Sequence, residues 1–272
     1  SVAGLDVGGT YALAAGSNVV DLGTGANIAD ATITAVGGSY ALNLADGASV
    51  TTTVSQHNSA SSVTGAGGTE QITLSDATGA AVTFNAGAEA VDAETITVSA
   101  HGLSTGDAVT YSAPIAHASV GGLTNGAVYY AIVVDDDTVK LATSYANALG
   151  NTAINLTAGA TGSGHALAPV IVSDADVETY VLANGTNALT MTADGQNVVA
   201  SGGDVLIDSS TFELGSITET VATNVRVDIS GTATLAKLAG QNLSNVDYLT
   251  VGADQADGVS NWASIDHDAN AG

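Results

Sequence analysis

The chain has 272 residues, 45% of them hydrophobic, which is enough to build the core of one large β domain or of two smaller ones. It has 27 acidic and 3 basic residues, and the formal net charge of −24 repels nucleic acid and anionic lipid, so we expect neither as a partner. It has no cysteine, which excludes disulfide bonds, thiolate zinc sites and cysteine catalysis.

The residues available for a core are small. Aromatic residues make up 4% of the chain, there are 33 glycines, and runs of Val and Thr alternate with Gly, Asn and Asp. Such runs between turn-forming residues are typical of short strands joined by tight turns. The longest apolar run, residues 127–134, is far shorter than the roughly 20 residues of a membrane-spanning helix. We therefore predict an all-β fold without a membrane-inserted segment.

Internal repeats start at pairs of glycines. GGTYAL begins at Gly8, GGSYALNL at Gly37 and GGTEQITL at Gly67, so 29 and 30 residues separate successive copies. A strand pattern and a turn rich in Gly and Asp follow each pair. Strands that recur at a fixed period predict a β-solenoid or a stack of hairpins, with about 20–30 residues per unit. Beyond Tyr180 the strands return at a spacing of roughly 20 residues, which predicts tighter coils there.

The repeat pattern stops near Glu94 and resumes after Ala168. Both prolines of the chain, Pro114 and Pro169, lie in or next to this interval, as expected where a repeat ends and another packing begins. The sequence thus predicts a solenoid-like first half over residues 1–93, a small inserted antiparallel β domain over 94–168, and a solenoid-like second half over 169–272.

Within the interval, three carboxylates stand between two strand-like runs. YYAIVV precedes Asp135, Asp136 and Asp137, and TVKLAT follows them. The simplest structure is an antiparallel hairpin whose tight turn keeps the carboxylates in water. Lys140 could relieve part of their mutual repulsion.

The order of three segments resembles a small β module that is repeated in large secreted bacterial surface proteins of the adhesin type. These segments are HGLSTGDAVTYSA (101–113), GGLTNGAVYYAIVVDDDTVKLATS (121–144) and INLTAGATGSGHAL (154–167). The flanking repeats, rich in Gly, Ala, Thr and Asp, are similar to those of type I-secreted adhesins and S-layer proteins. The resemblance implies a compact, non-catalytic module in an extracellular protein of the bacterial cell surface. Here the module occurs once, between repeats, rather than in tandem.

The acidic excess leaves few carboxylates with a basic partner, and oxygen-rich sites suit Ca²⁺. A solvated acidic surface explains any single aspartate equally well. No GGxGxDxxx nonapeptide occurs, so the calcium β-roll sequence is absent. The candidate Ca²⁺ ligands are Asp135 and Asp137 at the hairpin end, and Asp174 and Asp176 at the second boundary of the inserted domain.

Sequence signatures of catalysis are missing, since GxSxG, GxGxxG, P-loop and HExxH patterns do not occur. We therefore predict a non-enzymatic, self-assembling subunit of a surface layer, filament or adhesin, stabilised by Ca²⁺. Its partners are further copies of the chain in an oligomer or polymer, and surface polysaccharide. The alternative is a carbohydrate-binding β-helix domain of a secreted protein, for which Tyr248 and Trp262 are the late aromatic residues that could stack on a sugar.

Overall fold

A computed structural model describes most of the chain. The described residues are 2–3, 9–35, 38–87, 91–92, 94–114, 117–157, 162–209, 215–221, 223–229, 245, 248–251 and 263–266. The fold is all-β, with 47% strand and 6% helix, and stacked parallel coils form a β-solenoid of about nine turns. The predicted fold class, including its inserted antiparallel sheet, is thereby confirmed.

The elements divide into three consecutive groups along the chain. The first comprises β1 (Val2–Ala3), β2 (Thr10–Leu13), β3 (Gly16–Leu22), β4 (Thr32–Ala35), β5 (Gly38–Leu44), β6 (Ser49–Thr52), α1 (Val54–Ser59), β7 (Val63–Thr64) and β8 (Gln71–Leu74). The second comprises β9 (Val82–Asn85), β10 (Val91–Asp92), β11 (Thr95–Thr97), β12 (Ala108–Ser112), β13 (Val128–Asp135), β14 (Thr138–Ala142), α2 (Tyr145–Leu149) and β15 (Ser163–Pro169). The third comprises β16 (Ile171–Val172), β17 (Thr179–Val181), β18 (Asn187–Met191), β19 (Asn197–Ala200), β20 (Gly203–Ser209), β21 (Ile217–Glu219), β22 (Thr223–Ile229), β23 (Tyr248–Val251) and β24 (Ala263–Asp266).

Parallel, in-register pairing builds the solenoid from the first and third groups. Its sheets have the strand orders β1-β3-β5-β7, β2-β4, β6-β8-β17-β19-β21 and β16-β18-β20-β22-β23-β24, and only the last pair, β23 with β24, is antiparallel. Gly16 pairs with Gly38, so one coil of the first half takes 22 residues. Asn187 pairs with Val205, and coils of the second half take as few as 18. The tighter second half agrees with the sequence prediction.

Alternating side chains explain why these segments form coils. In β5, Tyr40, Leu42 and Leu44 point inward and are buried, while Asn43 between them is exposed. Burial of one such leucine contributes about 1.5–3 kcal/mol. On the outer surface, Asn43 donates a hydrogen bond to Asp21 at 2.8 Å, one coil earlier. Inward aliphatic side chains and outward polar pairs thus repeat from one coil to the next.

The glycine pairs do not mark the coils. Tyr11 and Tyr40, which follow the first two pairs, lie in β2 and β5, and Gln71, which follows the third, lies in β8. These three strands belong to three different sheets. The spacing of 29 and 30 residues was therefore the wrong measure of the repeat, because each coil carries several strands with similar glycine-bounded patterns.

The second group of elements folds as a separate compact unit from Gly79 to Val170. Its antiparallel sheet has the strand order β10-β11-β14-β13-β12-β15-β9 and encloses its own core. The unit starts before the predicted residue 94 because β9 pairs with β15 rather than with a coil. Phe84 of β9 is buried in this core beside Tyr111 and Leu167.

The other compact unit combines Ser1–Thr78 with Ile171–Gly272. The chain leaves it after β8, at the stage of the coil at which earlier coils form β4 or α1, and returns at β16. Among the described residues, no helix has the length and apolar character needed to cross a bilayer.

Replacement of residues 79–170 by a short Gly-Ser linker should leave a folded solenoid, because the removed unit takes its own core with it. Replacement of only 94–168 should cause aggregation, since β9 loses its partner β15 and Phe84 becomes exposed. Circular dichroism and size-exclusion chromatography of both deletions check this. Loss of the β signal in the first deletion would contradict the division into units.

Candidate functional site

The aspartate triplet forms a hairpin turn, as predicted. Asp135 ends β13 and pairs with Thr138 of β14, and Asp136 and Asp137 occupy the turn between them. All three aspartates are exposed. The amide of Asp137 donates a hydrogen bond to the Asp135 carboxylate at 3.0 Å, so these two carboxylates have different neighbours within the turn.

Asp137 anchors a neighbouring loop. Its Oδ1 accepts hydrogen bonds from the amide of Ala100 and the hydroxyl of Ser99, both at 2.9 Å. These two bonds stabilise the charged form and lower the pKa of Asp137. His101 completes the contact, because its Nε2 donates to the carbonyl of Asp135 at 2.8 Å while its Nδ1 accepts from the amide of Leu103 at 3.0 Å. The triplet therefore acts as a structural cap of the 99–103 loop.

Lys140 does not contact the triplet as expected. Its Nζ lies 3.8 Å from the carboxylate of Glu94, and both side chains are partly exposed. A pair of this kind contributes about 0.2–1 kcal/mol. The negative charge of the turn is balanced by donated hydrogen bonds instead.

The second pair of candidate ligands is divided by burial. Asp176 is exposed, whereas the Asp174 side chain is 28% exposed and contacts His57. Among the residues that the structure describes, no three Asp, Glu or His side chains are grouped as a metal site would require. Calcium binding by Asp135, Asp137, Asp174 or Asp176 stays a prediction.

The coil that the inserted unit interrupts is closed by main-chain hydrogen bonds. Gln71 of β8 pairs in register with Thr179 of β17, although the inserted unit lies between them in sequence. The amides of Glu178 and Thr179 both donate to the carbonyl of Glu70 at 3.1 Å. In return, the amide of Glu70 donates to the side chain of Glu178 at 2.7 Å.

Glu70 is a fully buried carboxyl group at this junction. Its Oε1 accepts from the amide of Ala66 at 3.1 Å and from that of Gly47 at 3.4 Å, and its Oε2 accepts from Gly68 at 3.1 Å. Gly47 belongs to the turn between β5 and β6, one coil earlier, and Glu178 belongs to the coil that follows. A single side chain thus connects three consecutive coils.

The carboxyl groups of Glu70 and Glu178 are hydrogen-bonded to each other, which requires one shared proton. Burial raises the pKa of Glu70, but the bonds donated by Glu178 and by main-chain amides outweigh burial and lower it overall. Burial raises the pKa of Glu178, and its hydrogen bond to Glu70 raises it further. Glu178 is therefore the carboxyl that holds the proton.

A second polar cluster joins α1 to the same region. α1 begins with a capping box, in which Thr53 and Gln56 each accept a hydrogen bond from the other's amide. His57 of α1 places Nε2 3.4 Å from Oδ2 of Asp174 and 3.2 Å from the hydroxyl of Tyr180. That hydroxyl also accepts from the amide of Asp174 at 2.8 Å.

Burial sets the protonation of this cluster. It lowers the pKa of His57, although the charge of Asp174 acts against it, and it raises the pKa of Asp174. The pKa of Tyr180 lies well above its ordinary value for the same reason. The surroundings thus favour uncharged groups, which suits a structural network within a core.

Sequence reasoning missed Glu70, Glu178 and His57. One signal could have found the carboxyl pair, because EQITL at residues 70–74 and ETYVL at 178–182 place a glutamate immediately before a strand in the same way. Tyr248 lies in β23, and Trp262 lies outside the described residues. Comparisons with protein-family models, with curated proteins and with solved structures gave no significant match.

Asp137→Ala should lower the midpoint of urea unfolding, because the donors of Ser99 and Ala100 lose their acceptor. Asp136→Ala is the matched control in the same turn and should change the free energy of unfolding by less than about 0.5 kcal/mol. Equal effects of the two substitutions would contradict the assigned role of Asp137.

Tyr180→Phe should lower the free energy of unfolding by about 1–3 kcal/mol, because buried partners lose a hydrogen bond. The ring itself stays, including its edge contact with His57 at 5.6 Å between centroids, so the change isolates the hydroxyl group. Chemical denaturation measures the loss. An unchanged stability would show that the amide of Asp174 does not depend on this hydroxyl.

The Glu70–Glu178 pair predicts a pH-dependent stability. A carboxyl with a raised pKa stabilises the fold while it is protonated, and this contribution is lost as pH rises through the raised value. Wild-type stability should therefore fall above the ordinary carboxyl range. Glu178→Gln should reduce that fall, because its amide donates to Glu70 at every pH. Urea unfolding at a series of pH values checks this, and identical pH profiles would contradict it.

Proposed function

We propose that the chain is a non-enzymatic, self-assembling structural protein of a bacterial surface, stabilised by Ca²⁺. One observation carries the proposal, namely that the parallel register continues from Gln71 to Thr179 across an inserted unit with its own core. The stacked coils provide a continuous hydrogen-bonded scaffold, and the inserted unit is a separate folded module within the chain. This organisation suits a protein that presents a domain rather than one that converts a substrate.

Stacked coils also provide a route to self-association. Among the described strands, β2 pairs only with β4 and β21 pairs only with β19, so each leaves one side without a described partner strand. Unpaired main-chain groups at such edges favour addition of another strand. A second copy of the chain supplies strands of the same coil geometry, which supports assembly of like with like.

The charge of the chain explains the proposed role of Ca²⁺. Each copy brings a formal charge of −24 to a contact, and charges of one sign repel within a Debye length of about 8 Å in physiological salt. Bound Ca²⁺ reduces this repulsion. Extracellular sites bind Ca²⁺ with dissociation constants of about 10⁻⁴–10⁻³ M, and tenfold excess over one site contributes roughly 1.4 kcal/mol. Several sites acting together would be needed, so the transition should be steep.

The histidines of the described residues support a structural role. His57 bonds Tyr180, His101 bonds the main chain of the hairpin, and His165 bonds the hydroxyl of Tyr111 at 2.8 Å. Each of these three rings lies within a core or against a turn. Their surroundings resemble those of structural histidines more than those of a general acid or base in an open cleft.

The carbohydrate-binding alternative would need exposed aromatic rings. Among the described residues, the exposed large hydrophobic side chains are all aliphatic, namely Val19, Val134, Leu149, Leu206 and Val221. Stacking on a sugar ring requires a flat aromatic face. The described surface therefore favours assembly over sugar recognition.

Millimolar Ca²⁺ should convert the protein into ordered oligomers, sheets or filaments, and chelation should reverse this. Mg²⁺ should act poorly, because its octahedral demand suits irregular carboxylate sites badly. Light scattering during titration, followed by negative-stain imaging, measures the transition. Asp176→Asn, which removes an exposed candidate ligand, should shift the midpoint to higher Ca²⁺, and Asp136→Asn is the control.

A strictly monomeric particle at every Ca²⁺ concentration would contradict the assembly proposal. In that case, binding of the monomer to an array of polysaccharides would identify the carbohydrate-binding alternative. Assembly without any dependence on Ca²⁺ would retain self-association and remove the proposed role of the cation.

A further inference from the structure

Two Asn-Gly steps lie among the described residues, at Asn125-Gly126 and Asn184-Gly185. In such a step the amide nitrogen of glycine can attack the side-chain carbonyl carbon of asparagine. A carbon–nitrogen bond forms, ammonia leaves with the proton of the glycine amide, and a cyclic succinimide results. Water then opens the ring to aspartate or isoaspartate. The reaction needs a free glycine amide and a mobile asparagine side chain, and the two steps differ in both.

The step at Asn125 is held on both sides. The amide of Gly126 donates to the carbonyl of Tyr111 at 2.8 Å, and Ala127 donates to Thr124 at 3.2 Å to close the turn. The side chain of Asn125 accepts from the amide of Ala113 at 2.7 Å. Attack at this step requires that the amide of Gly126 first leave a short hydrogen bond.

The step at Asn184 is held more weakly. The amide of Gly185 donates to the carbonyl of Gly202 at 3.3 Å, near the limit of a hydrogen bond. Asn184 is exposed, and no hydrogen bond of its side chain is found within the described part of the chain. Gly185 has φ of +135°, which an unbranched glycine adopts readily. The nucleophile and the carbonyl carbon are therefore both less restrained than at Asn125.

We propose that Asn184 is a site of spontaneous deamidation in the folded protein, and that Asn125 is protected by the fold. This inference does not depend on the proposed function. Cyclisation removes the proton of the Gly185 amide and with it the bond to Gly202. Ring opening adds a negative charge at the exposed corner that precedes β18.

The isoaspartate product has a structural consequence at the next coil. Gly185 stacks on Gly203, where a Cβ atom would overlap the carbonyl oxygen of Gly185. Isoaspartate adds one methylene to the main chain directly before this close contact. The pairing of β18 with β20, which begins at Asn187 and Val205, should therefore loosen at its first residues.

Incubation of the intact protein in mildly alkaline buffer, followed by digestion with a non-tryptic protease and mass spectrometry, measures both sites in one sample. Conversion at Asn184 should be at least about fivefold faster than at Asn125, close to the factor that one additional backbone hydrogen bond contributes. Labelling by an isoaspartate-specific methyltransferase should occur at residue 184. Asn184→Gln should abolish the fast phase and leave the slow one.

Urea provides the control, because unfolding removes the hydrogen bonds that distinguish the two steps. The two rates should converge in the unfolded chain. A rate at Asn125 equal to or above that at Asn184 in the folded protein would overturn the inference. It would also be overturned by a rate ratio that persists unchanged in urea, since the neighbouring sequence rather than the fold would then determine it.

Discussion

Main-chain hydrogen bonding between coils in parallel register is the constraint on which the rest of this structure depends. Each strand of the solenoid satisfies its amides and carbonyls through the coils on either side, so an interruption exposes two sets of polar groups at once. The pairing of Gln71 with Thr179 removes that cost at the point where the inserted unit leaves and returns. The buried side chains at this junction then determine how firmly the coil is closed.

A buried carboxylate is expensive unless its lone pairs are satisfied. Glu70 meets this requirement with main-chain donors from its own coil and from the preceding one, and with the proton held by Glu178 in the coil that follows. The cluster of His57, Asp174 and Tyr180 uses a different solution, in which burial favours uncharged groups. Both arrangements act on the same interrupted coil, and both specify one register rather than several.

The sequence predicted the features that depend on local pattern. Alternation of apolar residues identified the strands, and the runs on either side of Asp135–Asp137 identified the hairpin. It did not predict the coil length, because β2, β5 and β8 follow similar glycine pairs but belong to different sheets. It placed the start of the inserted unit at residue 94, because the four-residue strand of Val82–Asn85 has no local feature that distinguishes an antiparallel partner from a coil neighbour. The contact of Glu70 with Glu178 requires knowledge of the register across the whole insertion, which local periodicity does not contain.

The interrupted coil has a consequence for the variety of chains that this scaffold could accommodate. The entropic cost of closing a flexible loop grows only with the logarithm of its length, by about 0.6 kcal/mol for each doubling. A folded insert whose ends match the gap adds less than a flexible loop of the same length. Since Gln71 and Thr179 are paired by the coils themselves, the scaffold imposes little restriction on the size of what lies between Thr78 and Ile171. The junction is thus suited to domain grafting, in which an unrelated domain replaces the inserted unit while the register of the coils is retained.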